Sequence, residues 1–185
     1  MSTGDTIPST AQCDELISRY GMLPNIVDHS RQVTRVCLAL ADRLTDRDSL
    51  NRELLSAAAL LHDITKTRSL ETGEKHDQTG AALLEELGYP LVAEIVRRHV
   101  FFGEFFPDGP LTEAEIVYYA DKRVMHDRIV TVDERVKDLM ERYGRTPEVK
   151  DLILKNSEFV YRIERKIARH LSVEIDTALA SIPHG

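Results

Sequence analysis

Aliphatic residues recur at intervals of three and four along most of this chain, and this spacing is the strongest constraint on its fold. Val33, Val36, Leu40 and Leu44 show it in a segment that begins at Pro24. The spacing places these side chains on one face of an α-helix. No stretch of useful length alternates between apolar and polar residues, as a half-buried strand would. The sequence therefore predicts an all-α fold.

The same period predicts further helices, and turn or capping residues mark several of their ends. Gly88 and Pro90 end one helix, and Thr112 with Glu115 forms a capping-box signature that opens another. The predicted helices cover residues 24–44, about 50–63, a segment ending at 87, 91–100, 112–124, about 133–143, and a long stretch after 147.

One domain is expected, because the chain has 185 residues and an apolar content of 42%. Residues 1–10 are polar and contain Pro and Gly, which predicts a flexible N-terminal tail. Residues 11–185 are then a single-domain helical bundle, with a motif-bearing core at about 25–125 and C-terminal helices at about 133–181. A segment at 101–110 holds four of the five phenylalanines and has no helical period, so it is either a core plug, which we favour, or a pocket lid.

Charge and cysteine usage narrow the class of protein. The formal net charge of −7 argues against a protein whose main task is to bind a nucleic acid polymer. Cys13 and Cys37 are too few for a disulfide framework. No secretory signal and no apolar run of roughly 20 residues is visible. These observations predict a cytoplasmic protein with no membrane association.

Several histidines and aspartates lie on the apolar faces of the predicted helices, where such side chains are costly. The candidates are His29, His62, Asp63, His76, His99 and Asp121. A single histidine at such a position is usually a hydrogen-bonded core residue. An inward carboxylate such as Asp121 needs a cation or several donors. His76 joins this set either at the start of a helix or from the loop before it.

Several such residues on separate helices predict a shared metal site. Imidazole and carboxylate ligands without thiolate suit iron, manganese, cobalt, zinc, nickel or magnesium. The site is expected to hold one or two divalent ions, and the spacing does not select the metal.

Residues 60–66, which read Leu-Leu-His-Asp-Ile-Thr-Lys, resemble the doublet motif of the HD superfamily of metal-dependent phosphohydrolases. The resemblance covers about residues 25–125 and implies an HD-type helical domain. Family members often have glycine or alanine where this chain has Thr65. The resemblance assigns one ion to His29, His62, Asp63 and Asp121, a second to His76 and His99, and the bridging position to Asp63.

The resemblance implies hydrolysis of a phosphoester or phosphoanhydride by metal-activated hydroxide, with Asp63 and Lys66 as catalytic residues. Lys66 follows His62 by four residues, which would place it on the same helical face; a solvated lysine past a helix end is the alternative. Lys66, Arg98 and Arg123 are candidate substrate contacts. His126, His170 and His184 are interpreted as surface residues.

The expected substrate is a small phosphate-containing molecule, in particular a nucleotide or dinucleoside polyphosphate, because the chain is similar to the bacterial diadenosine tetraphosphate hydrolases of this superfamily. Two alternatives stay open. Some HD proteins are di-iron oxygenases with the same order of ligands, and a metal-binding signalling module without catalytic activity is a third class. The apolar stripe of the last long helix could close the core or form a homodimer.

Overall fold

The structure is a computed structural model that describes residues 6–182. Helices dominate these residues, and the predicted all-α class is confirmed. The helices are α1 (Thr10–Arg19), α2 (Pro24–Ala41), α3 (Arg52–Leu61), α4 (Lys66–Thr72), α5 (His76–Glu86), α6 (Pro90–Arg98), α7 (Glu113–Lys122), α8 (Val132–Tyr143), α9 (Pro147–His170) and α10 (Ile175–Leu179). Two short antiparallel strands, β1 (Val124–Met125) and β2 (Arg128–Ile129), follow α7.

Side-chain caps fix where several of these helices begin. The predicted capping box at α7 is present, with the Thr112 hydroxyl accepting from the backbone N–H of Glu115 while the Glu115 carboxylate accepts from that of Thr112. Thr131 forms the same motif with Glu134 at α8. Each box satisfies backbone donors that a helix N-terminus otherwise leaves unpaired.

The central helices enclose one apolar core. α2 packs against α3, α7 and α10, while α6 contacts α3, α5 and α7. Leu40, Leu55, Leu61, Ile116 and Ile163 are fully buried in this core. α5 can approach α6 closely because a methyl group added at Gly80 would lie 3.3 Å from Val96 Cγ1. The core therefore holds the helix ends of α3, α5 and α6 beside one another.

α8 and α9 form a hairpin whose second helix joins the core. Ile163 and Ile167 of α9 are fully buried, and α9 packs on α7. The buried Lys166 ammonium donates to Glu115 Oε1 over 2.7 Å and to the backbone carbonyl oxygens of Phe106 and Pro110. By contrast, Val132 is the one buried residue among the twelve of α8.

Helices α1 and α4 and the strands β1 and β2 were not predicted, and α4 and the strands were missed for the same physical reason. The polar segment after Lys66 was not among the predicted helices, but it forms α4, which ends at Gly73 in the left-handed region with φ of 75°. No residue of α4 is buried, so it has no apolar stripe that a periodicity could reveal. The strands β1 and β2 have two residues each, which is too short for an alternating pattern.

The structure describes part of the predicted N-terminal tail, and that part is attached to the core. Residues 1–5 of the predicted tail, and His184, lie outside the described residues. Ile7 packs against the core, and Ser9 caps α1.

In the segment 101–110, Phe102 is buried against Tyr118 and Phe159, whereas Phe101 and Phe106 are exposed. Thus one part of that segment fills the core. Among the described residues no helix is long and apolar enough to cross a bilayer.

Candidate metal centre

The fold brings all six candidate ligands to one place. They come from the body of α2, the turn after α3, the first residue of α5, the end of α6 and the body of α7: His29, His62 with Asp63, His76, His99 and Asp121. His29 Nε2 lies 3.0 Å from Asp121 Oδ1, and His62 Nε2 lies 3.7 Å from the same oxygen. His76 Nε2 and His99 Nε2 lie 3.1 Å and 3.5 Å from Asp63 Oδ1.

Two groups of potential ligands share one carboxylate. His29, His62 and Asp63 offer donor atoms that all lie within 4.8 Å of one another. Asp63, His76 and His99 do the same. Because Asp63 belongs to both groups, its two oxygens are placed to serve two neighbouring ions.

Backbone carbonyl groups set the direction of three imidazole rings. Nδ1 of His29, His62 and His99 lies 2.9, 2.8 and 2.6 Å from the carbonyl oxygens of His126, Ala59 and Val96. A carbonyl oxygen only accepts, so each Nδ1 carries the proton. In a neutral ring the Nε2 lone pair then points at the cluster, as in most histidines that bind metals.

The lone pairs of the Nε2 atoms point at other hydrogen-bond acceptors, which is the arrangement expected around a cation. His29 Nε2 faces a carboxylate oxygen of Asp121, and His76 Nε2 lies 3.2 Å from His99 Nε2. Among the described residues, His62 Nε2 and Asp63 Oδ1 are buried without a hydrogen-bond partner. Buried acceptors that face one another are costly unless positive charge lies between them. The donor set therefore fits divalent cations.

The charged and polar groups of the cluster shift the pKa values of its two carboxyl groups. Burial raises the pKa of the Asp63 carboxyl, but the charge of His62 and the nearby rings of His76 and His99 outweigh it, so the pKa lies well below its usual range. Burial likewise raises the pKa of Asp121, and Lys122, His29 and His62 reverse the effect. Both carboxylates are thus ionised at neutral pH and available as ligands.

Two lysines lie beside the ligands in different roles. The four-residue spacing predicted that Lys66 and His62 share one helix. Instead, α3 ends at Leu61, and Lys66 begins α4 after a turn. Its ammonium nevertheless lies 3.5 Å from Asp63 Oδ1 and 3.2 Å from His76 Nε2, with 35% of the side chain exposed. Lys122 donates to Asp121 Oδ2 over 2.7 Å, which fixes that carboxylate.

Thr65, at the position where family members often have glycine or alanine, helps to place the ligands. Its hydroxyl donates to the His76 carbonyl oxygen over 3.0 Å and also contacts the Thr79 hydroxyl. This departure from the motif therefore links the turn of the doublet to the start of α5.

The structure places two of the predicted substrate contacts in hydrogen bonds within the protein itself. Arg123 is buried, and its guanidinium donates to the Val130 carbonyl oxygen, the Tyr119 hydroxyl and Asp176. These partners lie on the far side of α7 from Asp121, because a step of two residues turns a helical side chain away. Arg98 donates to the carbonyl oxygens of Phe102 and Glu104, so it holds the phenylalanine segment.

The centre opens into a cavity of about 310 Å³ that α8 partly encloses. His29, Asp63, Lys66 and Asp121 line it, and so do five residues of α8: Arg135, Asp138, Leu139, Arg142 and Tyr143. Sequence reasoning did not select Arg135 and Arg142. Their spacing of seven residues shows that they share a helical face, but nothing in the sequence reveals which element that face approaches.

His126 was interpreted as a surface residue, and its side chain is exposed. Its backbone nevertheless contributes to the site. The residue adopts a φ of 59° in the turn between β1 and β2, and its carbonyl oxygen accepts the hydrogen bond from His29. No sequence signal marks a role that a carbonyl group performs.

Comparisons with known proteins agree with this geometry. The chain is 32% identical over 149 residues to an uncharacterised protein of Methanocaldococcus jannaschii, covering 72% of this chain and 87% of that protein. Two relatives are tRNA (cytidine(56)-2'-O)-methyltransferases. The one from Picrophilus torridus is 29% identical over 74% of this chain and 41% of its own length. The one from Thermoplasma volcanium is 33% identical over 52% of this chain and 27% of its own.

The chain spans less than half the length of these two methyltransferases. No solved structure is a significant match. The profile of the HD domain matches residues 26–125, which is more than half of the chain and includes all six candidate ligands. The chain belongs to the HD-domain family of metal-dependent phosphohydrolases.

Proposed function

We propose that this protein hydrolyses a phosphoester or phosphoanhydride bond of a small molecule, with a nucleotide or dinucleoside polyphosphate as the substrate. The observation that supports it best is the pair of ligand groups that share Asp63. Divalent cations bound there supply Lewis acidity, which polarises a phosphoryl group and lowers the pKa of water.

The residues of the chain have distinct tasks in this proposal. His29, His62, Asp63 and Asp121 would hold one ion, and Asp63, His76 and His99 would hold a second. Lys66 binds a phosphate oxygen, because its ammonium borders the ligands and is partly exposed to the cavity. The apolar core behind His62 and His99 excludes water from the buried side of the site.

The substrate is proposed to be a small molecule rather than tRNA. The named activity of the two methyltransferases belongs to proteins more than twice as long as the matched region. The net charge of −7 disfavours binding to a polyanionic backbone. The cavity volume is at the lower end of the range for small-molecule sites, which suits one compact ligand.

Metal analysis combined with a phosphate-release screen tests the proposal. Protein purified without chelator is expected to contain divalent metal and to release phosphate from one class among mono-, di- and dinucleoside polyphosphates. Asp63→Ala should lose both the metal and the turnover. Lys75→Ala is a matched control, because Lys75 is exposed and precedes His76 without lining the cavity.

Different outcomes separate the alternatives. Product that forms only with ferrous protein and oxygen would support an oxygenase and contradict hydrolysis. Metal-loaded protein that turns over none of the panel would contradict the proposed substrate class and favour a binding module.

A further inference from the structure

α8 carries two cations that the metal site does not use. Arg135 and Arg142 lie one on each side of Asp138 along one face of this helix, at spacings of three and four residues. All three line the cavity that contains His29, Asp63 and Asp121. These residues follow the segment matched by the HD profile, which ends at residue 125.

We propose that Arg135 and Arg142 form a second anion site at the mouth of the cavity, which binds an acidic group of the substrate other than the phosphoryl group at the metal ligands. The inference rests on the proposed function and deepens it. It assigns the substrate to compounds with at least two phosphate groups, or with a phosphate and a second acidic group.

Charge and donor capacity support this assignment. Two guanidinium groups around one carboxylate leave one positive charge in excess. Arg142 Nε donates to Asp138 Oδ1 over 2.7 Å, which uses one of its five N–H donors. Arg135 Nη1 lies 3.6 Å from Asp138 Oδ2, a distance too long for a hydrogen bond. Most donors of both arginines therefore have no acceptor on Asp138.

The position of Arg142 relates the cluster to the metal ligands. Its Nη2 lies 3.5 Å from His126 Nε2, and the carbonyl oxygen of His126 accepts from the ligand His29. The Arg142 side chain is 48% exposed and that of Arg135 is 30% exposed, so both can meet a ligand from solution. A substrate with one phosphoryl group at Asp63 can thus reach α8 with its next acidic group.

A purely structural role explains less. Ion pairs at such spacings on a helix contribute only about 0.2–0.5 kcal/mol each. Arg142 alone hydrogen-bonds Asp138, whose Oδ2 is buried without a hydrogen-bond partner among the described residues although Arg135 lies 3.6 Å away. A second arginine at the mouth of the cavity is left without a role in that interpretation.

Calorimetric titration of the Mn²⁺-loaded full-length protein, in buffer with excess Mn²⁺, tests the inference. The probes are methylenediphosphonate, which has two phosphoryl groups and resists hydrolysis, and orthophosphate, which has one. The wild type should bind methylenediphosphonate more tightly. Arg135→Ala and Arg142→Ala should each weaken this binding by about tenfold or more, the scale of charge-assisted hydrogen bonds. Orthophosphate affinity should change by less than about twofold.

Control variants separate a lost contact from a lost fold. Arg145→Ala removes an exposed arginine beyond the end of α8 that does not line the cavity, and it should leave both affinities unchanged. Arg142→Lys keeps the charge but loses the planar fork, so an intermediate affinity is expected. Melting temperatures of all variants should stay within about 3 °C of the wild type, because the ion pairs with Asp138 contribute only a few tenths of a kcal/mol.

The results distinguish this inference from the proposed function. Phosphate release in the screen, together with unchanged methylenediphosphonate affinity in the arginine variants, would overturn the second anion site alone. Equal affinity of the wild type for the two probes would do the same. A wild type that binds neither probe would overturn both proposals. The expected selective loss supports the anion site even if the hydrolysed bond proves to be different.

Discussion

At the scale of single residues, Asp63 is the ligand on which both halves of the centre depend. It contributes to both ligand groups, whereas His76 contributes to one of them. The surrounding imidazoles keep it ionised despite its burial, so it is the negative counterpart of cations that bind there. Changes at these two positions should therefore have unequal effects on metal content.

Asp63→Asn should remove both ions, because an amide has the same shape but no charge to bridge them. His76→Ala should lose the ion held with His99 and retain the one held with His29 and Asp121. Elemental analysis of the purified variants gives the metal content per chain. Full occupancy in Asp63→Asn would contradict the shared role of this carboxylate.

The reactivity of the two cysteine thiols tests the packing of the core without involving a metal. Burial, with a smaller effect from Asp14, raises the pKa of the Cys13 thiol to about 12, and burial raises that of Cys37 further. Both thiols thus stay protonated and unreactive well above pH 8, since the thiolate is the nucleophile. An aromatic disulfide reagent at pH 8 should label neither in the folded protein and both after denaturation. Rapid labelling of the native protein would contradict this.

The sequence predicted ligands better than substrate contacts, and the reason is physical. A buried histidine or aspartate conflicts with its apolar neighbours, so His62 and Asp121 stand out from the pattern around them. An arginine on a surface gives no such signal, because its usual environment is water. Arg123 was therefore assigned to the substrate although it binds Asp176, while Arg142 was not selected.

Among the secondary-structure elements, α8 ends at a glycine that begins its connection to α9. Gly144 follows α8 with φ of −71° and ψ of 49°, and its N–H donates to the Met140 carbonyl oxygen. A Cβ atom at this position would lie 2.5 Å from that oxygen. The end of α8 tolerates glycine alone without a shift of the backbone.

Gly144→Ala should lower the free energy of unfolding by about 1–3 kcal/mol, the usual range for a substitution that forces a local rearrangement. The measurement is urea denaturation, and hydrogen exchange should show the loss of protection concentrated at residues 140–150. Glu141→Ala, an exposed change on the same helix, serves as the control and should have little effect. Equal stabilities of the two variants would show that the turn accommodates the methyl group.

Most elements with an apolar stripe were predicted, and elements without one were not. Helix α1 is the exception, because it was missed although Cys13, Leu16 and Ile17 are buried. α2 and α7 begin close to the residues indicated by their spacing and caps. α4 and the strands β1 and β2 have too few buried residues to leave a pattern. The missed elements nonetheless carry Lys66 and adjoin His126, so part of the site was placed less accurately than the ligands.

At the scale of the whole molecule, a buried ion pair joins the C-terminal hairpin to the helices that hold the metal ligands. Lys166 is 1% exposed and Glu115 is 3% exposed, and the pair connects α9 with α7. The lysine also satisfies two carbonyl oxygens of the phenylalanine segment. Three separate parts of the fold thus depend on one ammonium group.

Lys166→Met should destabilise the protein by about 3–5 kcal/mol, because it leaves the Glu115 carboxylate buried without a counter-charge. Adding Glu115→Gln should recover part of this loss, since the amide oxygen can still accept from Thr112. Denaturant unfolding of the single and double variants measures both effects. A double variant less stable than Lys166→Met would contradict the explanation by an unpaired charge.

The all-α class could be predicted because helical periodicity extends through the chain. The packing of helices that are distant in sequence could not be predicted. Spacing indicates that His29 and Asp121 face inward, but their 3.0 Å approach depends on how α2 packs on α7. The pairing of Lys166 with Glu115 spans 51 positions and has no local signal.

The scarcity of buried surface on α8 has a kinetic consequence. A helix anchored by one buried side chain, Val132, and otherwise packed on α9 can swing outward at small energetic cost. An anion bound by Arg135 and Arg142, as proposed above, would spend part of its binding free energy on ordering α8, which favours rapid dissociation. The helices that carry the metal ligands would then determine the chemistry, and α8 would determine how long the ligand stays bound.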